Sequence, residues 1–318
     1  MSTRNLKRAP IDGVLLLDKP ADWTSNHALM KVKHLLNARK AGHCGTLDPM
    51  ATGLLPIVLG EATKFASDLL DADKTYEALV LAGVRTDSGD AHGVVLSQQA
   101  VDIGEQQWRD AISRFVGPIE QVPPMHSALK RDGRPLYSYA RAGETVERSA
   151  RPVVIHQIDI LELQSDHAHI RVRCSKGTYI RTLAEDVGHV LGCGAHLAAL
   201  RRVAIANLSL ADAVTIDAFE ALTLEQRAAR LAPLDQLLGS LPATSIDDTL
   251  AARFRNGQRI RLAAAADIST ESAVAERVRV YRGNTVAANL LGLARYQDGL
   301  LVPLRLIGVA GMARPETP

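Results

Sequence analysis

The sequence contains little cysteine, few aromatic residues and no long apolar run. Among 318 residues there are three cysteines, Cys44, Cys174 and Cys193, and aromatic residues make up 4%. An odd number of widely separated cysteines gives no disulfide framework and fits a reducing compartment. No apolar stretch approaches the ~18 residues that a membrane-spanning helix needs. We therefore expect a cytoplasmic protein with no membrane partner.

Sequence patterns typical of bound cofactors are also missing. No GxGxxG, Walker or HExxH pattern occurs, so the sequence predicts no small-molecule cofactor and no metal. The net charge is only +2, so binding of nucleic acid must use local basic patches. With 47% hydrophobic and 23% charged residues the composition is that of a globular protein, and the length predicts two domains.

The most unusual segment lies at residues 41–64, where glycines, a histidine, an acid and a proline stand between apolar runs. The glycines permit backbone conformations that other residues avoid. Pro49 restricts Asp48 to extended geometry, so Asp48 is expected on a stiff, sharply folded loop. Judged on loop chemistry alone, an ordinary turn with a solvated His43 is the alternative.

Residues 42–55, GHCGTLDPMATGLL, closely resemble the catalytic motif of the TruB family of pseudouridine synthases. Residues 174–183, CSKGTYIRTL, resemble the third motif of this family, and residues 193–202, CGAHLAALRR, resemble its continuation. The resemblance covers about residues 10–310 and implies an isomerase that converts uridine in RNA to pseudouridine. That reaction is redox-neutral and requires no cofactor.

The resemblance also implies roles for individual residues. Asp48 matches the catalytic aspartate, Arg181 its ion-pair partner, and Tyr76 a tyrosine that stacks on the target base and helps proton transfer. The positions that match substrate-binding or supporting residues are His43 (entering the space left by the flipped base), Tyr179 and Leu200 (lining the uracil pocket), and Lys19 and Lys64 (supporting the loop or backbone).

The chemistry fits an acid and a guanidinium acting together. Glycosidic cleavage develops positive charge on the sugar, and a carboxylate can capture the sugar carbon covalently, as in retaining glycosidases. The carboxylate must stay ionised in a dry pocket, so we expect Arg181 to hold Asp48 in bidentate fashion. The target nucleotide must flip out of the folded RNA to expose its sugar carbon.

Two local patterns lie around these positions. Apolar and polar residues alternate over residues 169–180, which predicts a half-buried strand and then a helix from Thr182 to about Leu191. Arg181 is therefore expected at a strand-to-helix corner. The connector at residues 86–93 contains Asp90, for which capping of an Asx turn is favoured over a cation site.

A second unusual segment lies at residues 121–151, with many turn formers and few core residues. Basic side chains neutralise phosphates and tyrosine rings stack on unpaired bases. The segment resembles the family's mobile insertion that grips an RNA stem-loop; an exposed insertion with solvated charges is the alternative. The basic residues expected to form the RNA-binding patch are Lys130, Arg131, Arg134 and Arg141.

We expect the α+β fold class. After a basic tail at residues 1–10, a catalytic domain at residues 11–243 is expected to form a mixed, mostly antiparallel sheet, interrupted by the insertion at about residues 121–151. Periodicity breaks around residues 239–242. Beyond this linker, residues 244–318 are expected to form a small β-barrel that resembles a PUA-like RNA-binding domain.

The resemblance thus implies a monomeric enzyme that isomerises the T-loop uridine of tRNA, at position 55, with Asp48 as nucleophile. Two alternatives remain open. One is an RNA chaperone that folds tRNA without essential catalysis, and the other is a guide-RNA-dependent synthase of the same family.

Overall fold

The structure, a computed structural model, describes residues 8–262 and 274–308. Residues 1–7 of the expected basic tail lie outside the described residues, as do residues 263–273 and 309–318 of the expected C-terminal domain. None of the helices in the described residues is long and apolar enough to cross a membrane.

The elements alternate between short helices and strands of very different lengths. The strands are β1 (Gly13–Lys19), β2 (Ala41–His43), β3 (Thr52–Leu59), β4 (Lys74–Ala82), β5 (Val84–Thr86), β6 (Val95–Gln98), β7 (Gly117–Gln121), β8 (Lys130–Arg131), β9 (Arg134–Pro135), β10 (Arg151–Leu163), β11 (His167–Cys174), β12 (Ala195–Ile205), β13 (Leu208–Ser209), β14 (Val214–Thr215), β15 (Ala243–Ile246), β16 (Ile260–Arg261), β17 (Val274–Arg282), β18 (Leu290–Gln297) and β19 (Leu300–Leu306). The helices are α1 (Ser25–Leu35), α2 (Ala66–Asp71), α3 (Glu105–Ser113), α4 (Leu136–Arg141), α5 (Ile180–Val190), α6 (Ile216–Glu220), α7 (Leu224–Ala229) and α8 (Asp248–Arg255).

Ten strands form one mixed sheet in the order β14-β1-β3-β12-β4-β11-β10-β7, with β2 beside β3 and β13 beside β12. The pairs β1–β14 and β3–β12 are parallel, and the other pairs are antiparallel. This confirms the expected mixed, mostly antiparallel sheet. Strand β12 lies between β3 and β4, so Arg202 is the register partner of both Gly53 and Tyr76.

Both faces of the sheet are buried around β1. Leu15 and Leu17 belong to the core cluster that α1, α3 and α5 cover, whereas Val14 and Leu16 belong to a second cluster on the opposite face. A strand covered on both sides reads as a continuous apolar run, because neither face needs polar residues. The second cluster includes Tyr281 of β17, so the C-terminal sheet packs against this face.

Helix α5 begins at Ile180, so Arg181 lies inside the first turn of the helix and not ahead of it as expected. Strand β11 ends at Cys174, earlier than expected, and the chain then turns through Gly177 at φ +79°. The side-chain amide of Gln121 fixes this turn, since it accepts from the N–H of Tyr179 at 2.9 Å and donates to its carbonyl at 3.2 Å. A contact from a distant strand therefore decides where the helix starts.

The C-terminal residues form a curled five-stranded sheet in the order β15-β17-β18-β19-β16, in line with the expected small barrel. Strands β18 and β19 are joined at Asp298 and Gly299, both with positive φ, as a tight hairpin turn requires. The sheet begins at Ala243, one residue before the expected domain boundary, and the division into domains stays a prediction.

The end of the expected basic tail is held in place. Ala9 donates to the carbonyl of Asn37 at 2.8 Å and accepts from the N–H of Arg39 at 3.0 Å. The backbone groups of this residue therefore pair with the segment that follows α1.

Candidate active site

The loop between β2 and β3, which carries Asp48, is held by the side chain of Ser25. The N–H of Leu47 donates to the Ser25 hydroxyl at 2.8 Å, and the hydroxyl donates to the carbonyl of Leu47 at 3.1 Å. Thr24 serves as the N-cap of α1, which leaves the Ser25 hydroxyl free for this task. The residue immediately before Asp48 therefore has both backbone groups fixed by one buried side chain.

Lys19, at the end of β1, also holds the loop that carries Asp48. Its ammonium group donates to the carbonyls of Pro20 at 2.8 Å, Trp23 at 2.6 Å and Pro49 at 3.3 Å. The side chain is completely buried, and this burial lowers the pKa of Lys19 to about 8. Lys19 therefore connects Pro49, the residue after Asp48, to the end of β1. Its buried side chain has no surface that a nucleotide could contact.

Arg202 holds the two ends of the same loop. It is 1% exposed, and its Nε donates to the carbonyl of Leu54 at 2.8 Å while Nη2 donates to the carbonyl of Gly45 at 3.0 Å. Gly45 has φ +90°, and a Cβ there would lie 3.3 Å from Nη1 of Arg202. Sequence reasoning missed Arg202, since nothing local distinguishes it from the neighbouring Arg201.

Asp48 and Arg181 form the expected ion pair, with Arg181 Nε 3.0 Å from Asp48 Oδ2. The bidentate arrangement that we expected is wrong. The terminal nitrogens of Arg181 instead donate to the carbonyls of Ser88 at 3.1 Å and His126 at 2.7 Å. Arg181 is 4% exposed, so its planar group is fixed by the surrounding backbone, whereas the Asp48 side chain remains 35% exposed.

A second carboxylate, that of Asp90, faces Arg181 at 3.7 Å from Nε and is 8% exposed. Its other oxygen accepts from the N–H of His92 at 3.0 Å, which is the expected Asx turn, and from the Ser88 hydroxyl at 2.7 Å. The sequence indicated the turn but not the contact with Arg181. Burial raises the pKa of Asp48, Asp90 raises it further, and Arg181 acts in the opposite direction.

Asp48, Arg181 and Arg202 line a cavity of about 250 Å³. The structure brings Asp48, Tyr76, Tyr179, Arg181 and Leu200 together around it, as the resemblance implied. Burial raises the pKa of both tyrosines, so their phenols are neutral donors at physiological pH. The remaining lining residues are Gly45, Thr46, Leu47, Leu70, Lys74, Ser127, Ala128, Ser175, Gly177, Thr178 and Ile180.

Besides Lys19, the expected substrate-binding residues His43 and Lys64 do not line this cavity. His43 lies on β2, half-buried, with no hydrogen-bond partner at Nδ1, and burial lowers its pKa. Lys64 pairs with Glu61 at 2.6 Å and donates to the carbonyl of Leu306 at 3.2 Å, so it joins the first domain to the C-terminal sheet. We expect Lys64 to affect stability through this junction.

The insertion forms the short hairpin β8–β9 followed by α4. Lys130 and Arg131 are exposed on the hairpin. Arg134 lies over the ring of Tyr139 at 4.2 Å, and Arg141 lies over the ring of Tyr137 at 5.4 Å. Cation–π contacts of this kind are weak at exposed sites, about 0.5–1 kcal/mol. Arg141 can therefore leave its ring for a phosphate at small cost, whereas Arg134 also donates to the hydroxyl of Ser138 at 3.0 Å and to its carbonyl at 2.8 Å.

The site offers a carboxylate, a fixed guanidinium and a phenol beside an apolar wall. Such a set can attack an electrophilic carbon and hold a flat ring. In residues 8–262 and 274–308, no three His, Cys, Asp or Glu side chains are grouped to hold a metal ion.

Comparison with known proteins identifies the family. The family model for the TruB family pseudouridylate synthase (N terminal domain) matches residues 33–180, that for the tRNA pseudouridylate synthase B C-terminal domain matches residues 181–242, and that for Pseudouridine synthase II TruB, C-terminal, matches residues 242–307. These models define a pseudouridine synthase with a C-terminal extension. The chain belongs to the TruB family of pseudouridine synthases.

Relatives agree over almost the whole chain. A protein of Ralstonia nicotianae named tRNA pseudouridine synthase B is 57% identical over 305 residues, covering 94% of this chain and 95% of the relative. One of Burkholderia mallei with the same name is 54% identical over 302 residues, covering 95% and 99%. A chain in the crystal structure of a Cbf5-Nop10-Gar1 complex is 25% identical with a TM-score of 0.71, covering 93% of this chain and 84% of that one.

Proposed function

We propose that this enzyme converts the T-loop uridine of tRNA, position 55, to pseudouridine, with Asp48 as the nucleophile. The observation that carries the proposal is the ion pair of Asp48 and Arg181 on the wall of a small cavity that also contains Tyr76, Tyr179 and Leu200. Relatives named tRNA pseudouridine synthase B at 54–57% identity support tRNA as the substrate.

Asp48 is suited to attack because one side faces solvent-accessible space and the other faces Arg181. With the uridine flipped out of its loop, the carboxylate forms a bond to the ribose C1′ while the C1′–N1 bond breaks. The electron pair of the broken C1′–N1 bond stays on the uracil ring, where it is delocalised over the carbonyl groups. The base turns within the cavity, C5 bonds to C1′ as Asp48 leaves, and the proton on C5 is lost as N1 gains one.

The other residues of the cavity have roles in binding and proton transfer. Tyr76 stacks on the base and its neutral phenol assists proton transfer at the sugar. Tyr179 and Leu200 form the wall against which uracil rotates. The exposed basic residues of the insertion contact the RNA backbone, and His43 fills the gap that the flipped nucleotide leaves in the loop.

The direct test uses an unmodified tRNA transcript tritiated at uridine C5. The wild type is expected to release tritium to water and Asp48→Asn to release none, since an amide cannot act as the nucleophile. Because burial already disfavours the charged form of Asp48, the Asn variant is expected to unfold at no lower temperature than the wild type. A folded Asp48→Asn variant that retains turnover would exclude the nucleophile.

The same experiment addresses the alternatives. A transcript in which uridine 55 alone is replaced by another nucleotide tests whether that position is the target. Activity on bare transcript excludes a requirement for a guide RNA. If the protein instead acts only as an RNA chaperone, Asp48→Asn refolds misfolded tRNA as fast as the wild type and neither protein releases tritium.

A further inference from the structure

Arg202 is a buried cation with no acidic partner. In the described part of the chain no carboxylate lies within 4.0 Å of its nitrogens, and two of its N–H groups are used by the carbonyls of Leu54 and Gly45. Removing an unpaired charge from water is costly. The buried charge of Arg202 therefore calls for an explanation.

The position of Arg202 in the sheet supplies that explanation. Its backbone is paired with Gly53 of β3 on one side and Tyr76 of β4 on the other. The side chain lines the cavity together with Asp48 and Tyr76. One residue thus contacts the loop that holds Asp48 and stands beside the tyrosine that faces the same cavity.

The guanidinium group of Arg202 also acts on the phenol of Tyr76, because it carries a positive charge and only hydrogen-bond donors. Arg202 and Tyr76 are cross-strand partners, so their side chains lie on the same face of the sheet, and both line the cavity. The charge of Arg202 acts against burial, which raises the pKa of Tyr76. A guanidinium can only donate, so it offers the O–H proton of Tyr76 no acceptor, and this proton is directed away from Arg202.

We propose that Arg202 is a positioning residue, which fixes both ends of the Asp48 loop and turns the hydroxyl proton of Tyr76 toward the bound nucleotide. This inference rests on the proposed function, because it gives Arg202 a purpose only if Asp48 and Tyr76 act on that nucleotide. Arg202 itself reaches the reaction through these two residues.

The test is a double-mutant cycle with Arg202→Gln and Tyr76→Phe, measured as the single-turnover rate of tritium release and, separately, the Kd for a T-stem-loop RNA. Arg202→Gln is expected to lower the rate about 100-fold, the scale of one proton-transfer contribution, and to change Kd less than about 3-fold. In the Tyr76→Phe background the same substitution should cost much less, since its partner is already missing.

A spectroscopic measurement separates orientation from general damage. The ¹³Cζ signal of Tyr76 in labelled protein reports the charge and hydrogen bonding of its phenol, and it is expected to shift in Arg202→Gln. Arg279→Gln is the matched control, because Arg279 is likewise an arginine beside a tyrosine, donating to the hydroxyl of Tyr281 at 3.2 Å, but in the C-terminal sheet. The control should leave both the rate and the Tyr76 signal unchanged.

Each outcome either supports or excludes a positioning role for Arg202. Equal rate losses from Arg202→Gln in the wild-type and Tyr76→Phe backgrounds, or an unchanged Tyr76 signal, would show that Arg202 is only structural. If Arg202→Gln does not fold, Arg202→Lys is measured in the same cycle, and it should fail in the same way because one ammonium group cannot span both carbonyls as the guanidinium does. A wild type that releases no tritium would defeat the proposed function, whereas an active wild type with a fully active Arg202 variant defeats only this inference.

Discussion

Asp90 and Asp48 approach the same nitrogen of Arg181, at 3.7 Å and 3.0 Å respectively. The two acids therefore share one positive charge that is almost completely buried. Because Asp90 raises the pKa of Asp48, the Asp48 carboxylate is less tightly neutralised than a simple ion pair would be. This arrangement fixes Arg181 and leaves the Asp48 carboxylate open to the cavity.

Asp90→Asn tests this sharing. The amide keeps the shape of the side chain and removes its charge, so the pKa of Asp48 is expected to fall. In the proposed mechanism the ionised form of Asp48 is the active one, so the acidic limb of the pH–rate profile should move to lower pH. Single-turnover rates between pH 4 and pH 8 measure this shift. A limb that stays in place, or moves to higher pH, would contradict the electrostatic contact between the two acids.

Arg181→Lys should impair turnover far more than RNA binding. Arg181 contacts Asp48, Ser88 and His126 through three different nitrogens, and a single ammonium group cannot satisfy all three positions. We expect a rate loss of at least about 100-fold, comparable with removal of one preorganised electrostatic contact. Filter binding of the same RNA gives the affinity. Equal losses in rate and affinity would argue that Arg181 acts mainly on the RNA.

Ser25→Ala and Thr24→Ala form a matched pair. Ser25→Ala leaves the N–H of Leu47 without its partner and should cost about 1–3 kcal/mol of unfolding free energy together with a clear loss of turnover. Thr24→Ala removes the N-cap of α1 and should cost about 1 kcal/mol without reducing turnover. Urea unfolding and tritium release measure the two effects. Equal turnover in both variants would mean that Ser25 does not control the loop.

Lys19→Met tests the support beneath the loop through its pH dependence. The folded-state pKa of Lys19 is about 8, below its ordinary value of 10.5, so its charge costs stability below pH 8. Between these values the folded protein has lost the proton while the unfolded chain still holds it, so stability from Lys19 increases as pH rises. The gain over Lys19→Met should reach at most about 3 kcal/mol. Parallel stability curves for the two proteins from pH 7 to pH 11 would refute this burial effect.

Much of the fold could be predicted because its signals are local. The apolar run of β1, the turn at Asp298 and Gly299, and the alternation of apolar and polar residues within β11 each depend on neighbouring residues. Boundaries were less accurate where a distant group intervenes. Helix α5 starts early because Gln121 holds Tyr179, and no pattern within the helix reports that contact.

The candidate site also has features that follow from local sequence and features that only the fold creates. The sequence by itself determined the stiff loop at Asp48, since proline restricts its own backbone and that of the residue before it, whereas glycine permits the sharp turns. Its motif resemblance implied Arg181, Tyr76, Tyr179 and Leu200 as partners. Only the tertiary structure decided that Arg181 binds Asp48 through one nitrogen, that Asp90 shares it and that Arg202 holds the loop. These contacts arise from strand order and register across distant parts of the chain, where side-chain type does not specify which groups will meet.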